Sequence, residues 1–108
     1  MNKAYVAGFL FCLASSSALA DQYTGYVSVL EVWKNGNVAF SLSPAIPGCN
    51  SQGILNASAP GTKNQYAALL AAKASHTQVS VYVTGTCIVA EGYGPGYHDP
   101  LYIYALDP

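Results

Sequence analysis

The chain has 108 residues, 52% of them hydrophobic and only 8% charged, and it contains no arginine. Four lysines against five acids leave a formal charge of −1. That is far from the lysine- or arginine-rich face that displaces counterions from phosphates, so a nucleic-acid partner is excluded, and the length allows one small domain.

The first twenty residues, MNKAYVAGFLFCLASSSALA, have the layout of a secretory signal peptide. Lys3 supplies the positive n-region and Ala4 to Ala14 the apolar h-region. Ala18-Leu19-Ala20 forms the small-x-small cleavage pattern, placing the cut after Ala20. The segment is too short to remain as a membrane anchor. Phe11 precedes Cys12 where lipidation needs a small residue, so a lipoprotein is not expected. Residues 21–108 then form a single secreted or periplasmic domain of 88 residues, with three lysines, five acids and eight tyrosines.

Tyr23 to Trp33, YTGYVSVLEVW, is rich in valine and aromatics and reads as a long strand. Lys34-Asn35-Gly36-Asn37 follows, and Asn-Gly is a strong two-residue hairpin signal because both residues tolerate positive φ. Val38, Phe40 and Leu42 alternate with Ala39, Ser41 and Ser43 as the returning strand, ended by Pro44 and Pro47-Gly48. A short third strand is expected around Ile54 to Ala57. After the break at Ala59-Pro60-Gly61, Thr62 and Gln65 fit a capping box. Tyr66, Leu69 and Leu70 then give a helix of about three turns one apolar stripe.

Gln78 to Thr84 returns to alternation, with Val79, Val81 and Val83 on one face and Ser80, Tyr82 and Thr84 on the other. Gly85-Thr86 reads as a turn or bulge before a short piece, Cys87-Ile88-Val89. Residues 91–100, EGYGPGYHDP, read as a glycine- and proline-rich loop, and Leu101 to Leu106 as the last strand, opened by Pro100. The order strand, strand, strand, helix, strand, strand is mainly β with one helix, that of a five-stranded OB-fold barrel. A small α+β sandwich is the alternative.

Loss of Cys12 with the signal leaves Cys49 and Cys87, an even count that reads as one disulfide in an exported chain. A zinc site built from these cysteines with His76 and His98 matches no ligand spacing, so no metal or other cofactor is expected.

These features resemble a group of small exported bacterial OB-fold proteins that includes the receptor-binding B subunits of subtilase cytotoxin and typhoid toxin. The resemblance rests on the signal, the hairpin YTGYVSVLEVWKNGNVAFSLS, Cys49, the helix QYAALLAAKAS, the strand QVSVYV and Cys87, and it spans nearly all of residues 21–108. It implies a homo-oligomer, a pentameric ring, whose subunits bind host glycans or glycoproteins, often sialylated, and which can partner a catalytic A subunit. In those proteins a serine early in the first strand and a tyrosine late in the fourth hold the sugar. Here Tyr26 stands at the serine position with Ser28 two residues on, and Val83 at the tyrosine position with Tyr82 adjacent. A one-residue slip turns a strand side chain to the opposite face. Ser28, Tyr26 and Tyr82 are therefore candidates rather than direct equivalents.

No nucleophile elbow, phosphate-cradling loop or recognisable triad is present, and His98-Asp99 are adjacent rather than mutually oriented, so the chain reads as a non-enzyme. Asn56-Ala57-Ser58 matches a glycosylation sequon but reads as a plain loop in a bacterial exported chain. Trp33, the one tryptophan, fits a core position better than a sugar face. Tyr82, Tyr102 and Tyr104 fall at strand spacing. Tyr93 and Tyr97, flanked by glycines and followed by His98, are the freer ligand-binding candidates. A protein-binding module of the cell envelope is the alternative function.

Overall fold

The computed structural model of the protein describes residues 20–106. All of the expected signal peptide except Ala20 lies outside the described residues, as does the C-terminal Asp107-Pro108. The chain is mainly β with one helix. Its strands are β1 (Ala20–Val32), β2 (Val38–Ser43), β3 (Gly53–Leu55), β4 (Val79–Ala90) and β5 (Gly94–Ala105), and α1 (Thr62–Ser75) lies between β3 and β4. The five strands form one closed sheet in the order β1-β2-β3-β5-β4, with β4 returning against β1. All pairs are antiparallel except β3 with β5, which meet in parallel at Gly53 and His98. Among the described residues, no helix is long and apolar enough to cross a membrane.

The inner face follows from strand periodicity. Val38, Phe40 and Leu42 of β2 pack with Val79, Val81 and Val83 of β4, and all six are buried. Burying such side chains contributes about 1.5–3 kcal/mol each, which holds the closed sheet together. Gly53 lies against the Phe40 ring, and a Cβ at that position would overlap it.

The first hairpin forms where Asn-Gly predicts it, but through a three-residue loop. Trp33 N–H donates to Asn37 O at 2.8 Å, Gly36 N–H donates to Trp33 O at 2.9 Å, and within the turn Gly36 alone takes positive φ, at 97°. The third strand is Gly53–Leu55 rather than Ile54 to Ala57, because Asn56 and Ala57 turn away into a loop.

The helix also departs from expectation. Gly61 in a left-handed conformation precedes it, and no side chain caps it. Thr62, already inside the first turn and buried, donates its hydroxyl to Asn56 O at 2.7 Å, while Gln65 Nε2 donates to Pro100 O at 3.3 Å. The expected capping box is therefore replaced by bonds that tie the helix start to the loop after β3 and to β5. The buried helical residues are Thr62, Leu69 and Ala72. Leu70 is 47% exposed, since the closed sheet accepts only a narrow stripe centred on Leu69.

The largest correction concerns residues 91–100. Only Glu91, Gly92 and Tyr93 form a turn, closed by Tyr93 N–H donating to Ala90 O at 2.9 Å with Gly92 at φ 84°. Gly94 already begins β5. Both prolines fit into that strand because the ladder shifts register beside their partners, Val89 opposite Pro95 and Val83 opposite Pro100. A residue without an N–H is tolerated at such breaks. Pro100 thus lies inside β5 and does not open it. Likewise Cys87-Ile88-Val89 is no separate piece: Gly85-Thr86 is an irregularity within a single β4.

Cys49 and Cys87 form the disulfide, with Cα atoms 5.5 Å apart. It staples a single 3-10 turn, Cys49–Ser51, onto β4. All three residues of that turn have positive φ, at 47°, 55° and 57°. Left-handed backbone disfavours each L-residue by about 1–2 kcal/mol, so the turn needs external restraint. The bridge supplies part of it, and Asn50 Nδ2 donating to Gly96 O at 3.1 Å supplies more.

Candidate ligand-binding platform

The outer face of β2 and β3 carries a second apolar patch. Ala39, Ile54 and Ala90 are fully buried there, and Trp33, Ile88 and Tyr97 pack over them. Two of the three floor residues are alanines, which leaves room for rings above. Trp33 immediately precedes the β1–β2 turn, Tyr93 ends the β4–β5 turn, and Tyr97 lies in β5. The closed sheet brings them together. The Trp33 and Tyr93 rings meet edge to face at 4.5 Å and 65°, and Tyr97 approaches Trp33 at 6.0 Å and 76°. Such aromatic pairs contribute about 0.5–1.5 kcal/mol beyond the area they bury. Tyr93 is nevertheless 62% exposed, so the cluster presents a ring to solvent.

A polar scaffold fixes the loops that carry these rings. Asn37 is fully buried. Its Nδ2 donates to Glu91 O at 2.9 Å and its Oδ1 accepts from Ala57 N–H at 2.8 Å. Asn35 Nδ2 also donates to Glu91 O, at 2.9 Å. Asn56 accepts from Glu91 N–H at 2.8 Å and donates to Val89 O at 2.9 Å. Ser58 donates its hydroxyl to the Glu91 carboxylate. The β1–β2, β3–α1 and β4–β5 loops are thereby locked to one another, and the sequon residues Asn56 and Ser58 are part of the lock.

The other expected site residues are distributed elsewhere. Tyr97 joins the platform, but His98 does not: it is buried, with Nε2 within 3.0 Å of Pro47 O and 2.9 Å of Gly48 O. Both partners are carbonyls, so Nε2 carries a proton and donates. Nδ1 is buried without a partner. His98 thus pins the segment before the left-handed turn.

Tyr26 stacks on His76 at 4.3 Å and 9°, and Ser28 is the extra residue of a β1 bulge between Val27 and Val29. Tyr82 pairs across the strands with Gln22 on one side and Tyr102 on the other. Tyr26 lies four residues along β1 from Gln22, about 13 Å of strand, so Tyr26 and Tyr82 do not converge.

Sequence reasoning placed Tyr102 and Tyr104 on a strand face without seeing what they build. Tyr82 and Tyr102 stack at 4.5 Å, and Tyr104 continues the row at 6.1 Å from Tyr102. Gln22 Nε2 donates to Tyr104 Oη at 2.9 Å. The Tyr102 hydroxyl is pushed above its ordinary pKa, first by neighbours that displace its water and then by its hydroxyl contact with Tyr82. Trp33, read from the sequence as a core residue rather than a sugar face, is instead half-buried over the outer patch. Its place beside the Asn-Gly turn, with two tyrosines after the second turn, is the signal that could have placed it there.

Among the described residues, no group of three or more His, Cys, Asp or Glu side chains could hold a metal ion. Comparison with protein-family models, with characterised proteins and with solved structures finds no match.

Proposed function

We propose that the protein is an exported, non-catalytic OB-fold barrel that binds glycans through the platform of Trp33, Tyr93 and Tyr97. The strand order β1-β2-β3-β5-β4, the parallel β3–β5 contact and the helix between β3 and β4 support the fold assignment. In that fold, the face of strands 2 and 3 and the β1–β2 and β4–β5 loops take oligonucleotides or oligosaccharides. With no arginine and few lysines, the saccharide is favoured over the phosphate polymer.

The observation that carries the reading is the exposed Tyr93 ring held against Trp33 at the junction of those two loops. An aromatic face suits the apolar C–H side of a sugar, and the neighbouring Asn35 carboxamide suits its hydroxyls. The disulfide favours an oxidising compartment, in keeping with export. From the resemblance to receptor-binding B subunits we extend the proposal to a ring of identical subunits.

A glycan array and a solution mass on the protein from Asp21 onward test both parts. The expected result is retention of a glycan class by an oligomer, weakened about tenfold or more in Tyr93→Ala, equivalent to ~1.4 kcal/mol. A monomer that retains no glycan would remove both.

A further inference from the structure

Building on the glycan reading, we infer that the platform is one end of a longer groove that takes an extended oligosaccharide, uncharged or amine-bearing. The groove begins with a defect in the closed sheet. Tyr82 pairs with Tyr102 and Val83 with Pro100, so Leu101 is an extra residue with no partner on β4. Such bulges bend the strand and re-aim the side chain, and Leu101 is 52% exposed. On the other side, β3 has only three residues and pairs with β5 only at His98. Beyond His98 the wall is completed by the first turn of α1, through Gln65 and Pro100.

Two clefts of about 290 and 300 Å³ flank this region, and Pro60, Gln65 and Leu101 line both. Each is near the lower end of volumes that hold small ligands. Their three shared lining residues make them neighbours, which we take as two parts of one trough. The trough joins the aromatic features at its two ends. Ile54 and Ile88 belong both to the patch beneath the platform and to the wall of the first cleft. Tyr102 lines the second cleft and stands in the stacked row with Tyr82 and Tyr104. Tyr97 and Tyr102 are five residues apart on β5, roughly 16 Å at ordinary strand rise, beyond the reach of a single sugar ring.

The lining selects the ligand. Aromatic rings stand at both ends, Leu101 offers apolar surface between them, and Asn64 offers a carboxamide, with the carboxamide oxygen of Gln65 beside it. This alternation matches a polymer whose units each present an apolar face and a rim of hydroxyls. The one charged residue in either cleft is Asp99, half-buried, and no lysine or arginine lines them. An acidic sugar would bring a carboxylate toward Asp99 with no cation to offset it, whereas an amine would pair with it. The groove therefore favours neutral or amino sugars over the sialylated ligands of the toxin subunits.

The test is calorimetric titration with β-linked oligomers of glucose, N-acetylglucosamine and glucosamine, from monosaccharide to hexasaccharide. Wild type is compared with Tyr102→Ala, Asp99→Asn and Leu101→Glu, the last at an exposed position where folding is least at risk, and all are first checked for unchanged thermal melting. The expected result is a hexasaccharide bound at least about tenfold tighter than the disaccharide, a gap of ~1.4 kcal/mol. Tyr102→Ala or Leu101→Glu should erase that gap and leave disaccharide binding intact. Asp99→Asn should remove any preference for glucosamine over N-acetylglucosamine oligomers. Equal affinity for disaccharide and hexasaccharide in the wild type would overturn the groove and leave the platform as the whole site. Binding confined to a sialylated oligosaccharide, titrated alongside as the acidic probe, would overturn the groove's selectivity while glycan binding itself stood. Absence of binding to every glycan would overturn both readings.

Discussion

β2 is buried along its inner face and, at Ala39, on its outer face, and the two are built on opposite plans. On the inner face Val38, Phe40 and Leu42 interlock with the valines of β4 and fill the closed sheet with bulk. On the outer face Ala39, with Ile54 and Ala90, makes a shallow floor that is covered by Trp33 and Tyr97 from neighbouring elements. The inner plan excludes solvent completely. The outer plan holds rings in place by their bases and leaves Tyr93 facing water. A rigid aromatic surface can thus be made by giving a strand a second, smaller core and roofing it with rings.

The strongest way to break this contrast is to attack the inner face. Phe40→Ala should cost about 4 kcal/mol, the range for removing a buried ring, and chemical denaturation will measure it. A loss below about 1 kcal/mol would mean that the inner face does not hold the fold together. The outer scaffold should come next. Asn37→Ala strands the amide of Ala57 and removes one of the two donors to Glu91 O, and should cost about 2 kcal/mol, read in the same way.

Ala39→Leu overfills the outer floor beneath the rings. It should cost about 2 kcal/mol and shift Trp33 emission, since the added side chain must displace the rings above. Unchanged emission would mean that the floor does not position Trp33.

The smallest effect is alkaline. Tyr102 and Tyr23 have pKa values raised above their ordinary 10.0, in both cases chiefly by loss of surrounding water. An acid raised in the fold contributes stability that is complete below its unfolded value and is lost as the pH rises through the folded one. A tyrosinate absorbance titration should therefore show a late-ionising fraction above pH 10, reduced in Tyr102→Phe, with slight destabilisation over the same window. A single unshifted titration would contradict the packing of the tyrosine row.

The contrast also explains what could be read from residues alone. The inner face was legible because large aliphatics repeat with period two, and the hairpin and disulfide were legible from Asn-Gly and an even cysteine count. The outer face was not. Ala39 and Ala90 carry little hydrophobic signal, and their burial depends on rings supplied from other strands. Residues 91–100 misled for a physical reason, since glycine and proline ordinarily end a strand, yet here register shifts absorb both prolines and β5 begins at Gly94. His98 looked free in a loop but is buried against the carbonyls of Pro47 and Gly48, contacts that no local pattern announces. Thr62 and Gln65 fit a capping box in spacing, but nearby carbonyls of Asn56 and Pro100 took their hydrogen bonds.

Trp33 is the only tryptophan in the chain, so its fluorescence reports on the platform without interference. Titration of the intact protein with the glycans retained on an array, followed by Trp33 emission, tests the central claim most directly. A saturable change in wavelength or intensity, lost or shifted to about tenfold higher ligand concentration in Tyr93→Ala, is the predicted result. Glycan binding measured by calorimetry with Trp33 emission unmoved throughout would place the ligand elsewhere on the molecule and contradict the account.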